Sequence, residues 1–284
     1  MTRTTRTGAS AALALAAVLA LAACSSSDDA STDQSQTPTS TSTSTSTSDA
    51  LTGDLTVFAA ASLQPAFDEL ATTFAADNPG VHVNPVTYDG SSTLATQLVE
   101  GGNADVFASA DEKNMQPVVD AGLTAGTPTI FTTNTLQIVV APGNPKNITS
   151  LADLAKLADD GGIVVLCAPE VPCGSASQQV LAAAAVDLTP ASEEQNVTAV
   201  LTKVTAGEAD AGLVYRTDVL RAGDDVEGVD FAEAATVVNK YPIAALSDDA
   251  RADGHEQATA QAFVDLVLSD EGQKVLTDKG FTTP

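Results

Sequence analysis

The sequence predicts an α/β fold of two lobes, each a mainly parallel sheet flanked by helices, joined by a two-strand hinge. Three observations predict it. A strand–turn–helix unit recurs from Leu51 onward, which implies parallel strands with helical crossovers. The turns entering several helices are small residues: Ala60-Ala61-Ser62, Gly90-Ser91-Ser92 and Cys173-Gly174-Ser175. The rhythm also breaks twice, near Asn134 and near Pro242, where the chain would cross between lobes. The expected division is residues 51–133 plus 243–284 for the first lobe and 134–242 for the second.

Before the fold comes a leader. Arg3 and Arg6 precede an Ala/Leu-rich run that ends in Leu21-Ala22-Ala23-Cys24, the pattern of a charged n-region, a short apolar core and small residues. That run is too short to read as a membrane span. Residues 1–23 are expected to be a signal peptide. Residues 24–50, mostly Ser, Thr, Asp and Gln, cannot bury a core and read as a disordered tether.

Val57-Phe58-Ala59-Ala60 is a buried-type strand. Leu63, Ala66, Phe67, Leu70, Ala71 and Phe74 then form one apolar helical stripe. Ser62 is expected at its N-cap, with Pro65 tolerated in the first turn. Val81–Val86 reads as a second strand, leading through Ser91 into a helix that Gly101-Gly102 stops. Ala104–Asp111 is a third strand that leads to another helix start. Asn134–Val140 is a long one, followed by a helix from Ser150, with Ser150 and Asp153 spaced as a capping box. Ile163–Cys167 is a buried strand, and a helix is expected over Ala176–Ala185. Asn196 is a good N-cap for Val197, Val200, Leu201 and Val204. Ala211–Tyr215 is a short buried strand, Thr217 opens another helix, and Val237–Leu246 reads as extended. One long helix through Phe263–Leu268 and Glu271–Lys274 ends at Gly280.

The net charge is −25; without residues 1–23, which hold two arginines and no acids, Lys+Arg falls from 12 to 10 against 37 Asp+Glu, giving −27. This excludes nucleic acid and anionic lipid as natural partners. If such a protein binds an anion, local dipoles must act against its overall field. Cys167 and Cys173, close together in an exported chain, are expected to form a disulfide. A dithiol metal site is disfavoured, because neither His82 nor His255 stands at ligand spacing from them.

The cleft between the lobes is where a ligand would close in. Ser62 and Ser91 would offer hydroxyls there, Cys173 and Val197 backbone N–H groups at helix starts, and Tyr215 a phenol. No lysine stands in these stretches, and Arg216 beside Tyr215 should face away by strand alternation. With donors only and no carboxylate expected nearby, the site suits a fully deprotonated tetrahedral oxyanion.

These residues carry a resemblance. Phe58-Ala59-Ala60-Ala61-Ser62-Leu63, Ser91-Ser92-Thr93-Leu94, Ala104–Asp111, Pro169-Glu170-Val171-Pro172-Cys173-Gly174 and Gly212-Leu213-Val214-Tyr215 resemble, in order, the molybdate-binding proteins of bacterial ABC importers. The resemblance implies a periplasmic-binding-protein-like fold of type II and a role in delivering molybdate, and tungstate with it, to an ABC permease, as a monomer without a cofactor or bound metal beyond the ligand. It assigns as ligand positions the hydroxyls of Ser62, Ser91 and Tyr215 and the backbone N–H groups of Cys173 and Val197. Where the family often has alanine, this chain has Cys173, a change that a backbone donor tolerates. Leu21-Ala22-Ala23-Cys24 likewise resembles the lipobox of bacterial lipoproteins, which implies acylation of Cys24 and an extracytoplasmic protein held to the membrane by lipid alone.

The competing readings are weaker. A serine hydrolase lacks support because neither Gly-x-Ser-x-Gly nor Ser-x-x-Lys occurs. Sulfate, thiosulfate or a phosphonate would be alternative oxyanions. Ferric iron would want clustered tyrosines and carboxylates, and Tyr88, Tyr215 and Tyr241 are dispersed along the chain.

Overall fold

The computed structural model describes residues 50–247 and 255–284. The leader, Cys24 and the tether through Asp49 lie outside them.

The chain runs β1 (Gly53–Leu55), β2 (Val57–Ala60), α1 (Gln64–Asp77), β3 (Val81–Val83), β4 (Thr87–Asp89), α2 (Ser91–Val99), β5 (Val106–Ala108) and α3 (Glu112–Asp120). The long β6 (Thr129–Val140) leads to α4 (Leu151–Asp159), β7 (Val164–Cys167), α5 (Pro172–Ala183), β8 (Ser192–Glu194), α6 (Val197–Thr205), β9 (Ala211–Tyr215), α7 (Arg216–Ala222) and β10 (Glu227–Val229). β11 (Val238–Ala245) returns the chain to α8 (His255–Leu268) and α9 (Asp270–Asp278).

Among the described residues one sheet is ordered β4-β2-β5-β11-β6-β9-β7-β8, with β10 also on β6. Its flanks are parallel, β2 with β4 and β5, and β7 with β8 and β9. At its centre the two long strands, β6 and β11, pair antiparallel with one another and with β9 and β5 respectively. They are the hinge strands. β11 shifts register on β6 at a bulge between Tyr241 and Pro242, where a residue without an N–H interrupts the ladder at least cost, and its last residues, Ile243 to Ala245, also pair β5.

The core is divided accordingly. One cluster joins β7, β9, α5 and α6 around Val164, Val180, Val200 and Leu213. The other side is built on Leu55, Phe67, Leu70 and Phe263, with a smaller group around Leu94 and Phe107 on the opposite face of the sheet. Tyr215 belongs to the second lobe's core and Tyr241 to the first lobe's, yet their rings meet edge to face with centroids 6.0 Å apart.

Several local expectations are corrected. Of the expected strand Val81–Val86 only Val81–Val83 forms, and a second short strand, Thr87–Asp89, follows on a different partner, because Asn84 and Pro85 interrupt the ladder. α5 begins at Pro172, four residues earlier than expected, with proline in the first turn where its missing N–H costs nothing. The final helix is broken at Ser269, whose hydroxyl caps α9 by accepting from the Gly272 N–H. Ser150 does cap α4, but Asp153 reaches back to the N–H of Thr149 instead of Ser150.

Candidate functional site

Ser62, Ser91, Cys173, Val197 and Tyr215 line one small cavity between the lobes. All five are buried, Ser91 and Tyr215 to within 1% of full burial. Each arrives by a different local device.

Ser62 is not the N-cap expected of it. It lies in a 3₁₀ turn, Ala61–Leu63, and Leu63 precedes α1 without a side-chain cap. The tight turn instead presents its Oγ to the Tyr241 hydroxyl on hinge strand β11, 3.0 Å away. Ser91 is the first residue of α2, after Gly90. Its Oγ accepts from the Ala110 N–H at 2.9 Å, which leaves its own proton to be donated elsewhere.

Cys173 and Val197 contribute through their backbones. In α5 the N-cap is Val171, which has no side chain to satisfy the first turn, and Ser175 is the first N–H bonded back, to Val171. The Cys173 N–H is therefore one of the orphan donors of a helix start. In α6 the Asn196 carboxamide accepts from the Ala199 N–H, two residues past Val197, and leaves the Val197 N–H to the cavity. Cys167 and Cys173 are joined by a disulfide with Cα atoms 5.7 Å apart, which ties the end of β7 to this helix start.

Tyr215 ends β9 and receives a hydrogen bond on its hydroxyl from Asn239 Nδ2 at 3.0 Å. Burial, then the nearby Tyr241, Asp111 and Asp218, holds its pKa well above the ordinary phenol value, so it remains a protonated donor. Burial likewise pushes the Asp218 carboxyl up to about 6, against the pull of Arg221 and the Tyr215 N–H. Asp218 in turn fixes the backbone of Tyr215, its Oδ2 accepting that N–H at 3.1 Å.

Among the described residues no lysine or arginine lines the cavity, but a carboxylate does. Asp89 was missed. Its Oδ1 accepts from the Gly90 N–H at 2.7 Å and from Asn196 Nδ2 at 2.9 Å, so it clasps the first lobe to the N-cap of α6 across the cleft. Beside it Gly90 leaves no room for a side chain: a Cβ there would stand 2.1 Å from the Gln195 carbonyl oxygen. The Asn114 amide adds a second bridge to the carbonyl of Glu170 at 3.3 Å.

A wider cleft of ≈ 560 Å³ opens on the other side of Ser62 and carries Arg221 and Lys279. Both cations are engaged by acids, Arg221 with Asp218 at 3.1 Å and Lys279 with Glu69 at 2.8 Å. Arg216 and Lys113 are exposed and outside the cavity lining. Arg221, Asn239 and Tyr241 also went unnoticed as parts of the site in the sequence. The only signal for the last two was their place in an extended stretch at the lobe boundary.

A two-lobed α/β fold hinged on two central strands, with buried donors facing one interlobe cavity, defines a solute-binding protein of the periplasmic type. The chain belongs to the bacterial extracellular solute-binding protein family, whose model matches residues 55–282. It is 50% identical over 230 residues to the molybdate-binding protein ModA of Mycobacterium tuberculosis H37Rv, covering 81% of this chain and 85% of that one. It is 30% identical over 240 residues to ModA of Escherichia coli K12, covering 81% and 89%. In structure it is similar to the periplasmic molybdate-binding protein of Azotobacter vinelandii, with a TM-score of 0.66, 21% identity and coverage of 81% and 99%.

Proposed function

We propose that this protein binds molybdate, and tungstate with it, outside the cytoplasm and delivers the anion to an ABC permease. The observation that carries the reading is the convergence of two serine hydroxyls, a phenol and two helix-start N–H groups on one buried cavity without a cation. Its 50% identity to a protein named for molybdate binding supports the choice of anion.

The chemistry follows from hydrogen-bond inventory. A tetrahedral dianion with no proton needs donors on every side and no acceptor. Donors in a buried, low-dielectric site hold such a charge strongly, each hydrogen bond to a charged group being worth about 1.5–3 kcal/mol. Helix starts add partial positive charge, which offsets the protein's adverse net charge locally. Phosphate near neutral pH keeps a proton that needs an acceptor; Asp89 Oδ1 is engaged by Gly90 and Asn196, which leaves only its Oδ2 for such a proton, and the choice against phosphate rests on the similarity to proteins named for molybdate.

Residues 51–133 with 243–284, and 134–242, act in this reading as two rigid lobes that close on the ligand by bending at β6 and β11. The protein works as a monomer, tethered by acyl Cys24 and the Ser/Thr-rich spacer. Intact mass of the native protein tests the anchor, which an unmodified Cys24 would refute. Calorimetry with molybdate, tungstate, sulfate and phosphate tests the ligand: the first two should bind far more tightly, and phosphate as the best ligand would end the proposal.

A further inference from the structure

We propose that Asn239, set opposite Asn134 on the paired hinge strands, is a positioning residue that keeps the hydroxyl proton of Tyr215 turned toward the cavity. This rests on the reading of that cavity as an oxyanion site and explains why that hydroxyl donates.

Asn239 and Asn134 are direct cross-strand partners in the β6–β11 ladder. Each amide is held in one orientation by backbone. The Asn239 Nδ2 donates to the Ala110 carbonyl at 3.1 Å, and a reversed amide would put two oxygens face to face there. The Asn134 Oδ1 accepts from the Thr135 N–H at 3.0 Å, which forces its NH₂ toward Thr217 Oγ1, at 2.9 Å, and the Tyr241 hydroxyl, at 3.5 Å. Both asparagines therefore present only N–H to the tyrosines. The Asn239 Oδ1 is buried with no hydrogen-bond partner. An orphaned acceptor is a cost that a freely chosen orientation would avoid.

The consequence is a proton count. Asn239 donates to the Tyr215 hydroxyl and Asn134 to that of Tyr241, so neither amide takes a tyrosine proton. Tyr241 lies 3.0 Å from Ser62, and the two hydroxyls share one proton between them. Tyr215 lines the cavity, and among the described residues no carbonyl or carboxylate accepts its proton, which is left for a ligand. Were the Asn239 amide reversed, its oxygen would take the Tyr215 proton and leave that hydroxyl nothing to donate.

The test is a double-mutant cycle read by molybdate titration: wild type, Asn239→Ala, Tyr215→Phe and the double variant, each with its melting temperature. Asn239→Ala should weaken binding about five- to tenfold, the scale of one neutral hydrogen bond. In the Tyr215→Phe background the same change should weaken it less than about twofold, because the hydroxyl it orients is gone. Equal losses in both backgrounds would mean a general structural role and overturn the proposal, as would no loss in either. Asn239→Leu, of similar size and without the amide, replaces the alanine variant if that one fails to fold. Wild type that binds molybdate without this coupling defeats only the present inference; wild type that binds no molybdate defeats the functional reading beneath it.

Discussion

The two walls of the cavity donate by different means. On the first lobe the donors are side chains, Ser62 and Ser91, whose hydroxyls are aimed by partners 179 and 19 residues away in the chain. On the second lobe two of the three are backbone N–H groups, Cys173 and Val197, aimed by the helices they begin. A side-chain donor can be deleted by substitution and depends on distant packing. A backbone donor survives any substitution that preserves its helix. The difference teaches which residues of such a site are free to vary: cysteine can stand at position 173 because its side chain is spent on the disulfide while its N–H faces the cavity.

The comparison breaks most completely if the walls cannot meet. Gly90 has an ordinary helix-entry backbone, with φ of −61° and ψ of 135°, so alanine there is conformationally tolerated. Its Cβ would nevertheless strike the Gln195 carbonyl at 2.1 Å and Val171 Cγ1 at 2.8 Å on the opposite lobe. Gly90→Ala should keep the fold and prop the cleft open, weakening molybdate binding about a hundredfold, the upper range of overpacking costs. Titration together with an unfolding curve checks it; tight binding in the variant would show that the walls need not approach this closely.

Deleting side-chain donors comes next. Ser62→Ala, Ser91→Ala and Tyr215→Phe should each weaken binding by roughly ten- to 150-fold, the range for a hydrogen bond to a charged group. Ser62 caps no helix, but its loss also removes the buried hydrogen bond to the Tyr241 hydroxyl, so affinity should fall together with about 1–3 kcal/mol of stability. Unchanged dissociation constants for both serine variants would remove the first lobe from the site.

The backbone wall should respond in the opposite way. Replacing Cys167 and Cys173 together by alanine opens the short loop they close and should cost roughly 2–3 kcal/mol of stability in the loop-entropy model. Affinity should fall much less than in the serine variants, since Cys173→Ala leaves the N–H of α5 in place. A loss of affinity as large as for Ser91→Ala would mean that the disulfide, and not the helix, aims that donor.

The same contrast explains what could be read in advance. Helix starts have local signatures: Asn196 before an apolar helical stripe, and the small residues after Pro172. The second lobe's backbone donors were thus legible from neighbouring residues, and the fold from the repeated strand–turn–helix unit. The orientation of Ser62 was not legible, because capping is the commoner use of a serine in that place and nothing nearby reveals Tyr241. Asp89 was missed for a similar reason. Its partner Asn196 lies 107 residues away, and only the closed arrangement of the lobes brings them together.

The smallest expected effects concern charge, and they separate dipole binding from ion pairing. Arg216 and Lys113 are exposed and do not line the cavity, so Arg216→Gln and Lys113→Gln should change affinity less than about twofold. Arg221 is a different case, because its guanidinium neutralises the buried Asp218 that holds the Tyr215 backbone. Its replacement should lower stability first. Salt acts only on the approach of the ligand. Residues 24–284, without the two arginines of residues 1–23, carry an adverse net charge of −27. Screening that field should raise the association rate, by about twofold or so between low and physiological ionic strength. The dissociation rate should stay constant, because the closed cavity holds the anion with neutral donors and no ion pair is there to screen. Stopped-flow measurements at several salt concentrations separate the two rates. A dissociation rate that climbs steeply with salt would place a cation against the ligand, and the contrast between the two walls would then be secondary to it.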